Sequence, residues 1–126
     1  MIKRFKYILV AKGFDQRLGI DFQFTFYPVV KPTIVWLVLT LALHFGWLIS
    51  QLDINNAFFQ GHLEDDVYMA QLPWFLNDAY PIHVYKLCKA IYGLRQAPCA
   101  WFIGLRSFLL AQGFQNSKSD TSLFSL

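Results

Sequence analysis

The sequence predicts an α+β fold that forms a single body, and three observations predict it. Short β-prone runs alternate along the chain with longer runs of helical periodicity. Hydrophobic residues make up 56% of the chain and charged residues 15%, which excludes an intrinsically disordered segment. A length of 126 residues without repeats, low-complexity tracts or linkers suits one domain at most, because two separate cores would each be marginal.

The predicted elements follow from apolar runs and from the residues that bound them. Thr33 is a candidate N-cap and Gly46 suits the C′ position of one helix. Pro98 suits the first turn of a second helix, which Gly113 would end. In chain order the elements are a strand over 5–11 with a turn at Gly13, an extended aromatic segment over 22–30, a helix over 34–45, a buried strand over 47–52, a turn or short helix over 55–61, a strand over 84–89 with a turn over 92–94, the helix behind Pro98, a polar turn over 117–120 and a strand over 121–126.

Charge is distributed in three blocks along the chain. Residues 1–20 have a net charge of +4, residues 53–78 have −5 and residues 79–106 have +4. An acidic block between two basic blocks fits a site that holds cations between phosphate-binding surfaces. Ordinary solvated faces explain the same pattern, and charge by itself favours this simpler interpretation.

The chain is predicted to have no signal peptide and no membrane span. The apolar run behind the basic N-terminus stops at Lys12, which is too short for a signal peptide. Residues 34–49 are sixteen residues without a charge, whereas a spanning helix needs about 20 apolar residues. Two cysteines, Cys88 and Cys99, cannot make a disulfide framework. An intracellular location, cytoplasmic or nuclear and not secreted, is therefore expected.

Asp53 is the residue that points most directly to chemistry. It directly follows the predicted buried strand, where an unpaired carboxylate is costly. The end of a strand presents a ligand to a cleft, and Mg²⁺ binds one or two carboxylates together with substrate phosphates. A carboxylate that caps the turn over 53–56 would explain the same position, and spacing alone favours that role.

Other metal-binding and catalytic patterns are weak. His44, His62 and His83 show no metal-ligand spacing with the two cysteines. The acidic run 64–66 is predicted to be a solvated loop, because three consecutive acids do not easily converge on one ion. There is no glycine-rich phosphate loop and no assignable nucleophile triad.

Seven motifs nevertheless follow one another along nearly the whole chain. They are LVAKGF at 9–14, TFYPVVK at 25–31, QLDINNAF at 51–58, VYM at 67–69, YGLRQAPCAW at 92–101, GF at 113–114 and SDTSLF at 119–124. In this order they closely resemble the reverse transcriptase region of copia-type (Ty1/copia) long-terminal-repeat retrotransposons.

The resemblance implies part of the fingers and palm of a polymerase, with an incomplete antiparallel sheet and packed helices. Residues 1–126 would form one partial domain, with a fingers remnant over about 1–32. Residues 33–126 would form the first part of the palm, with an interleaved fingers segment. The family copies an RNA or DNA template–primer from dNTPs with two Mg²⁺ ions, and its members assemble in cytoplasmic virus-like particles.

The resemblance also implies roles for particular residues. Asp53 would be the first catalytic aspartate and a metal ligand, and the backbone carbonyl of Ile54 would help to hold the metal. Phe58 would be a steric gate against a ribose 2′-hydroxyl, although Phe58 or its neighbour Phe59 could equally be a core residue.

Further residues would face the nucleotide and the template. Gly93 would allow close approach of the backbone, Arg95 and Gln96 would supply polar contacts, and Pro98 would end this turn. Lys12 or Lys6 would approach the nucleotide phosphates, and the sequence leaves open which of them does so.

The chain departs from the family in ways that predict inactivity of these 126 residues by themselves. The family's second catalytic element, a Tyr-Val-Asp-Asp-like hairpin, should follow a strand resembling 122–126 and is not among them. The family usually has Arg at the positions of Ile8, Trp36 and Cys99, and Gly at that of Trp74. We therefore expect a decayed remnant rather than a working polymerase. Because the half-built sheet would expose a strand edge and apolar surface, we also expect the chain to need missing polyprotein segments in order to fold.

Two other functions remain open at this point. One is a nucleic-acid-binding module without catalysis, which would use the basic residues Lys3, Arg4, Lys6, Lys12, Lys86, Lys89 and Arg95. The other is a small membrane-associated protein that would use residues 34–49.

Overall fold

The computed structural model describes residues 8–25 and 27–126, and the fold of this part is α+β. It has two α-helices, three one-turn 3-10 helices and two small antiparallel sheets. Along the chain these are a 3-10 helix at Gly13–Asp15, α1 at Pro32–Phe45, a 3-10 helix at Ala57–Gln60, β1 at His62–Ala70, a 3-10 helix at Pro73–Phe75, β2 at Val84–Lys89, α2 at Ala97–Ala111, β3 at Gln115–Asn116 and β4 at Phe124–Ser125.

Helix α1 confirms the predicted first helix and its C-terminal end. Gly46 adopts a left-handed conformation with φ of 64° and donates its N–H to carbonyls of the last turn. The predicted N-cap at Thr33 is wrong, because Pro32 already occupies the first turn and Lys31 is the N-cap residue. Ala42 is the residue that α1 buries, so most of its apolar surface is exposed.

The predicted buried strand over 47–52 is wrong. These residues belong to no helix or strand, and Leu48 and Leu52 are 94% and 88% exposed. No strand in the described part of the chain pairs with them, and an apolar run without a backbone partner cannot form a sheet.

The acidic run 64–66, predicted to be a loop, instead lies within β1. Leu63, Val67 and Met69 occupy the more buried face, but Asp65 lies between them on the same face. This single charge breaks the apolar alternation that would have predicted the strand. β1 pairs with β2 in register Val67↔Leu87, with an irregularity between His62 and Val67.

Strand β2 and helix α2 confirm their predictions, and Pro98 lies in the first turn of α2. The predicted terminal strand is shortened to β4, which pairs with β3. The predicted strand over 5–11 is described from residue 8 onward, and there it makes a single parallel bridge, Val10↔Tyr92. In the aromatic segment over 22–30, the described residues belong to no helix or strand. Residues 5–7 and 26 of these two segments lie outside the described residues.

The core is small and lies where the β1–β2 hairpin meets the start of α2. Its buried members are Val67, Ala90, Ile91, Leu94, Ala97 and Ala100. Gly61 lets the chain approach α2 closely, because a β-carbon there would lie 2.7 Å from the backbone nitrogen of Trp101. Within the described residues, no helix combines the length and apolar character needed to cross a bilayer.

Candidate functional site

The segment 10–22 lies against the turn 92–97, and backbone contacts hold the two together. The N–H of Ala11 donates to the carbonyl of Tyr92 at 2.7 Å. Gly93 has φ of 89°, a conformation that side chains rarely adopt. A β-carbon on Gly93 would collide with the carbonyl of Ala11, so the predicted close approach at Gly93 occurs against this chain's own backbone.

Arg95 joins the turn to the N-terminal segment at three points. Its Nε donates to the carbonyl of Gly13 at 2.9 Å, and its backbone N–H donates to Oε1 of Gln16 at 2.9 Å. Its guanidinium carbon lies 6.0 Å from the ring centroid of Phe22, within cation–π range. The residue is nevertheless exposed, so part of the guanidinium faces solvent.

Gln96 is buried, with 4% exposure, and both ends of its amide have partners inside the protein. Its Oε1 accepts from Nε2 of Gln16 at 3.0 Å, and its Nε2 donates to the carbonyl of Asp21 at 3.2 Å. The structure thus joins both Arg95 and Gln96 to the segment 10–22, with Arg95 at the surface and Gln96 buried.

Lys12 is exposed at the edge of a cleft of about 620 Å³ between residues 10–21 and β1. Apolar side chains from β1, β2 and the turn line its floor. Asp15, Asp21 and Asp66 also line the cleft, so Lys12 lies among carboxylates.

Several other basic side chains have internal partners. Lys86 Nζ lies 2.6 Å from Asp66 Oδ1, and the hydrogen bond and charge of Asp66 raise the pKa of Lys86. Arg17 lies 3.5 Å from Asp21, and Arg106 donates to Asn116 at 3.1 Å. Lys3, Arg4 and Lys6 of the predicted basic set lie outside the described residues, whereas Lys89 is exposed at the end of β2.

Asp53 and Ile54 are both exposed in the irregular stretch behind α1. Neither has a hydrogen-bond or ion-pair partner among the described residues. A carboxylate suits Mg²⁺ as one ligand, but the described part of the chain brings together no group of three metal-ligating side chains. These residues do not by themselves make a metal site, and we derive no catalytic step through one.

Phe58 lies at the start of the hairpin and is half-buried. Its ring meets Tyr92 edge-on, with centroids 5.0 Å apart, and Phe59 meets the same ring at 5.6 Å. Both phenylalanines pack against the core. In this structure Phe58 therefore makes core contacts, as the simpler interpretation of the sequence expects.

Gln16 is the residue of this region that sequence reasoning missed. It lies in the turn after the first 3-10 helix, and its amide contacts both Arg95 and Gln96. A lone glutamine between charged residues has no spacing that signals a role. Its importance depends on a contact across 80 residues of sequence.

Comparison with known proteins shows the family of this chain and the branch of that family. Residues 1–126 match the family described as reverse transcriptase (RNA-dependent DNA polymerase), and the chain belongs to that family. Its relatives identify the branch as the copia-type retrotransposons, which confirms the resemblance. No solved structure shows significant similarity to the chain.

Two relatives illustrate the range of similarity. The retrovirus-related Pol polyprotein from transposon RE1 of Arabidopsis thaliana is 55% identical over 125 residues, or 99% of this chain. The retrovirus-related Pol polyprotein from transposon TNT 1-94 of Nicotiana tabacum is 40% identical over 121 residues, or 96% of this chain. The chain spans 8% and 9% of the lengths of these two polyproteins.

Family membership has two general consequences for the site. Reverse transcriptases generally use divalent metal ions, and they bind a nucleic-acid template–primer. The contact between residues 10–22 and the turn 92–97 combines exposed cations, Lys12 and Arg95 among them, with hydrogen-bonded backbone.

Proposed function

We propose that the chain forms part of an RNA-directed DNA polymerase, in which residues 10–22 and the turn 92–97 together face the template–primer and the incoming nucleotide. One observation carries this proposal: Arg95 is fastened to Gly13 and Gln16 in the segment that also bears Lys12. Two exposed cations are thereby carried by two segments that are hydrogen-bonded to each other, an arrangement that suits contact with phosphates.

In this proposal the remaining residues keep the roles that their family positions imply. Asp53 supplies one carboxylate to Mg²⁺ and the carbonyl of Ile54 a second oxygen. Phe58 is the gate beside the ribose, and Pro98 starts the helix that supports the turn. Residues 1–32 belong to the fingers and residues 33–126 to the palm with its interleaved segment.

We also propose that the 126-residue polypeptide does not extend a primer when it is assayed by itself. Among its carboxylates only Asp53 occupies a family catalytic position, and the family's Asp-Asp hairpin is not among these residues. One exposed carboxylate cannot hold two Mg²⁺ ions against water. Primer extension with Mg²⁺ that is lost in Asp53→Asn would overturn this part of the proposal.

Binding of a labelled RNA–DNA template–primer, measured by fluorescence anisotropy at several salt concentrations, tests the contact surface. We expect affinity that falls steeply as salt rises, because phosphate binding releases counterions. Lys12→Ala should lower the affinity and reduce the salt slope by about one.

Lys118→Ala is the matched control, because Lys118 is an exposed lysine in the turn between β3 and β4. It should leave both affinity and slope close to those of the unmodified chain. Equal losses in the two variants would show nonspecific attraction to net positive charge, and affinity without salt dependence would exclude a phosphate-binding surface.

A further inference from the structure

We propose that Gln16 and Gln96 are a pair of positioning residues, which fix Lys12 and Arg95 relative to each other by a one-way chain of amide hydrogen bonds. The inference rests on the proposed function, because it takes nucleic-acid affinity as one of its readouts. Neither glutamine needs to touch the ligand for this role.

The chain of hydrogen bonds has three links and a single direction. Arg95 donates its backbone N–H to Oε1 of Gln16 at 2.9 Å. Gln16 donates from Nε2 to Oε1 of Gln96 at 3.0 Å, and Gln96 donates from Nε2 to the carbonyl of Asp21 at 3.2 Å. Each amide thus accepts at its oxygen and donates at its nitrogen, which a carboxylate of the same shape cannot do.

Burial makes this arrangement demanding. Gln96 is 4% exposed, so an amide that loses its partner there is not compensated by water. Both ends of the Gln96 amide are already bonded within the chain, whereas Arg95 is exposed. In this inference Arg95 contacts the ligand and Gln96 acts through it.

The links span the two parts of the candidate site. Gln16 and Asp21 belong to the segment that carries Lys12, whereas Arg95 and Gln96 belong to the turn 92–97. Breaking the hydrogen bond between Gln16 and Gln96 removes a side-chain connection between the two segments, while Lys12 and Arg95 both remain in the chain.

The test exploits the fact that a neutral carboxylic acid can replace the amide but a carboxylate cannot. In Gln96→Glu the ionised group faces the carbonyl of Asp21 and repels it, whereas the protonated group can donate to it. In Gln16→Glu the protonated group can likewise donate to Oε1 of Gln96. We therefore expect both variants to regain function on acidification.

Two readouts are measured at pH 7.5 and pH 5 in the full chain: template–primer affinity, and hydrogen-exchange protection of residues 11–16. The charge-matched control is Gln115→Glu, an exposed glutamine in β3. Relative to this control, each glutamate variant should bind about tenfold more weakly at pH 7.5 and recover part of the difference at pH 5, where a growing share of the introduced carboxyl is protonated. Protection should fall and recover in parallel, while protection of α2 reports that the chain remains folded.

The outcomes separate this inference from the function on which it rests. If hydrogen-exchange protection in the glutamate variants changes with pH but their template–primer affinity equals that of the control, the proposal that the glutamines position the two cations is overturned. The hydrogen bonds would then only hold the two segments together. Losses that do not recover at pH 5 in either variant would overturn the hydrogen-bond chain itself. If the unmodified chain binds no template–primer, the proposed function fails and positioning with it, and the protection data alone then show whether the tether exists.

Discussion

Gly13 and Gly93 face each other where the N-terminal segment crosses the turn 92–97, and neither position has room for a β-carbon. A β-carbon on Gly13 would collide with the carbonyl oxygen of Gly93, and one on Gly93 would lie 2.9 Å from Cγ1 of Val10. The two glycines therefore allow the backbone contact on which Lys12 and Arg95 depend.

Replacing Gly93 by alanine should separate these two segments. Its φ of 89° and the collision with Ala11 predict a loss of at least about 2 kcal/mol in the free energy of unfolding. Urea denaturation measures the change. Gly104→Ala in α2 is the control, since its added carbon would lie 4.0 Å from the carbonyl oxygen of Gln60, an ordinary contact. For Gly104→Ala we expect the free energy of unfolding to rise by about 0.5–1 kcal/mol. Equal decreases in the two variants would contradict the close approach of Gly93 to Ala11.

Cys99→Arg should stabilise the protein by filling a cavity of about 150 Å³ beside the start of α2. Cys99 and the acidic residues Glu64 and Asp65 line this cavity. Burial raises the pKa of the Cys99 thiol, and the nearby charges of Asp65 and Glu64 raise it further. An arginine, which the resemblance to the family implies at this position, would add a positive partner to them.

Thermal melts at low and high salt measure the gain. We expect a higher melting temperature for Cys99→Arg, with part of the increase removed by 1 M salt. Cys99→Met fills volume without charge and should show no such salt effect. An arginine variant that is less stable than the unmodified chain at low salt would show that the cavity cannot accept the side chain.

Phe58 and Phe59 should contribute similarly to stability, because both rings meet Tyr92 and both are half-buried. Truncation of either to alanine should cost about 1–3 kcal/mol, below the range for a fully buried phenylalanine. Phe75 is 70% exposed, and Phe75→Ala should change the free energy of unfolding by less than about 0.5 kcal/mol. If Phe58→Ala is as mild as the control while Phe59→Ala is not, Phe58 is free of the core and available as a gate.

The β3–β4 turn should lose order in acid. The side-chain hydroxyl and the backbone N–H of Ser122 both bond Oδ1 of Asp120 and lower the pKa of that carboxyl. The resulting stabilisation is present above the unfolded-state pKa of about 3.9 and is lost as the pH falls through the lower folded value. Asp120→Asn should therefore differ from the unmodified chain at pH 6 and converge with it once the pH falls below the lowered folded pKa of Asp120.

Backbone amide NMR of residues 117–123 follows this turn directly. Asp78→Asn, in the exposed loop between β1 and β2, controls for the change of one charge. A difference between Asp120→Asn and the unmodified chain that persists unchanged in acid would show that the carboxylate does not organise the turn.

The elements that the sequence predicts well are those whose ends are fixed by local chemistry. Pro32 and Gly46 bound α1, and Pro98 starts α2, without help from distant residues. β1 is different, because its pairing with β2 overrides an aspartate on its more buried face. The prediction for the run 47–52 is wrong in the opposite sense, because β-prone residues predict a strand where none forms. Such residues need a partner strand, and no local pattern shows whether one is present.

The candidate site likewise combines features that local sequence predicts with contacts that it does not predict. The turn at Gly93 and the helix start at Pro98 are local features, and the structure has both. The junction of the segment 10–22 with the turn 92–97 depends on Gln16, whose partners lie 79 and 80 residues away, so spacing could not reveal it. The prediction that Asp53 follows a buried strand failed because that strand does not form.

The irregular stretch behind α1 has a consequence for metal titrations. Within the described residues, no backbone hydrogen bond joins 48–55 to the rest of the chain, and Asp53 lies in this stretch. For an ion that requires one arrangement of the stretch, the apparent dissociation constant is the intrinsic one divided by the share of molecules that already adopt that arrangement, so a rarely populated arrangement weakens binding. If Asp53 binds Mg²⁺ as proposed, its apparent dissociation constant therefore depends on how often residues 48–55 adopt that arrangement, and a ligand that orders these residues should tighten Mg²⁺ binding without touching the ion.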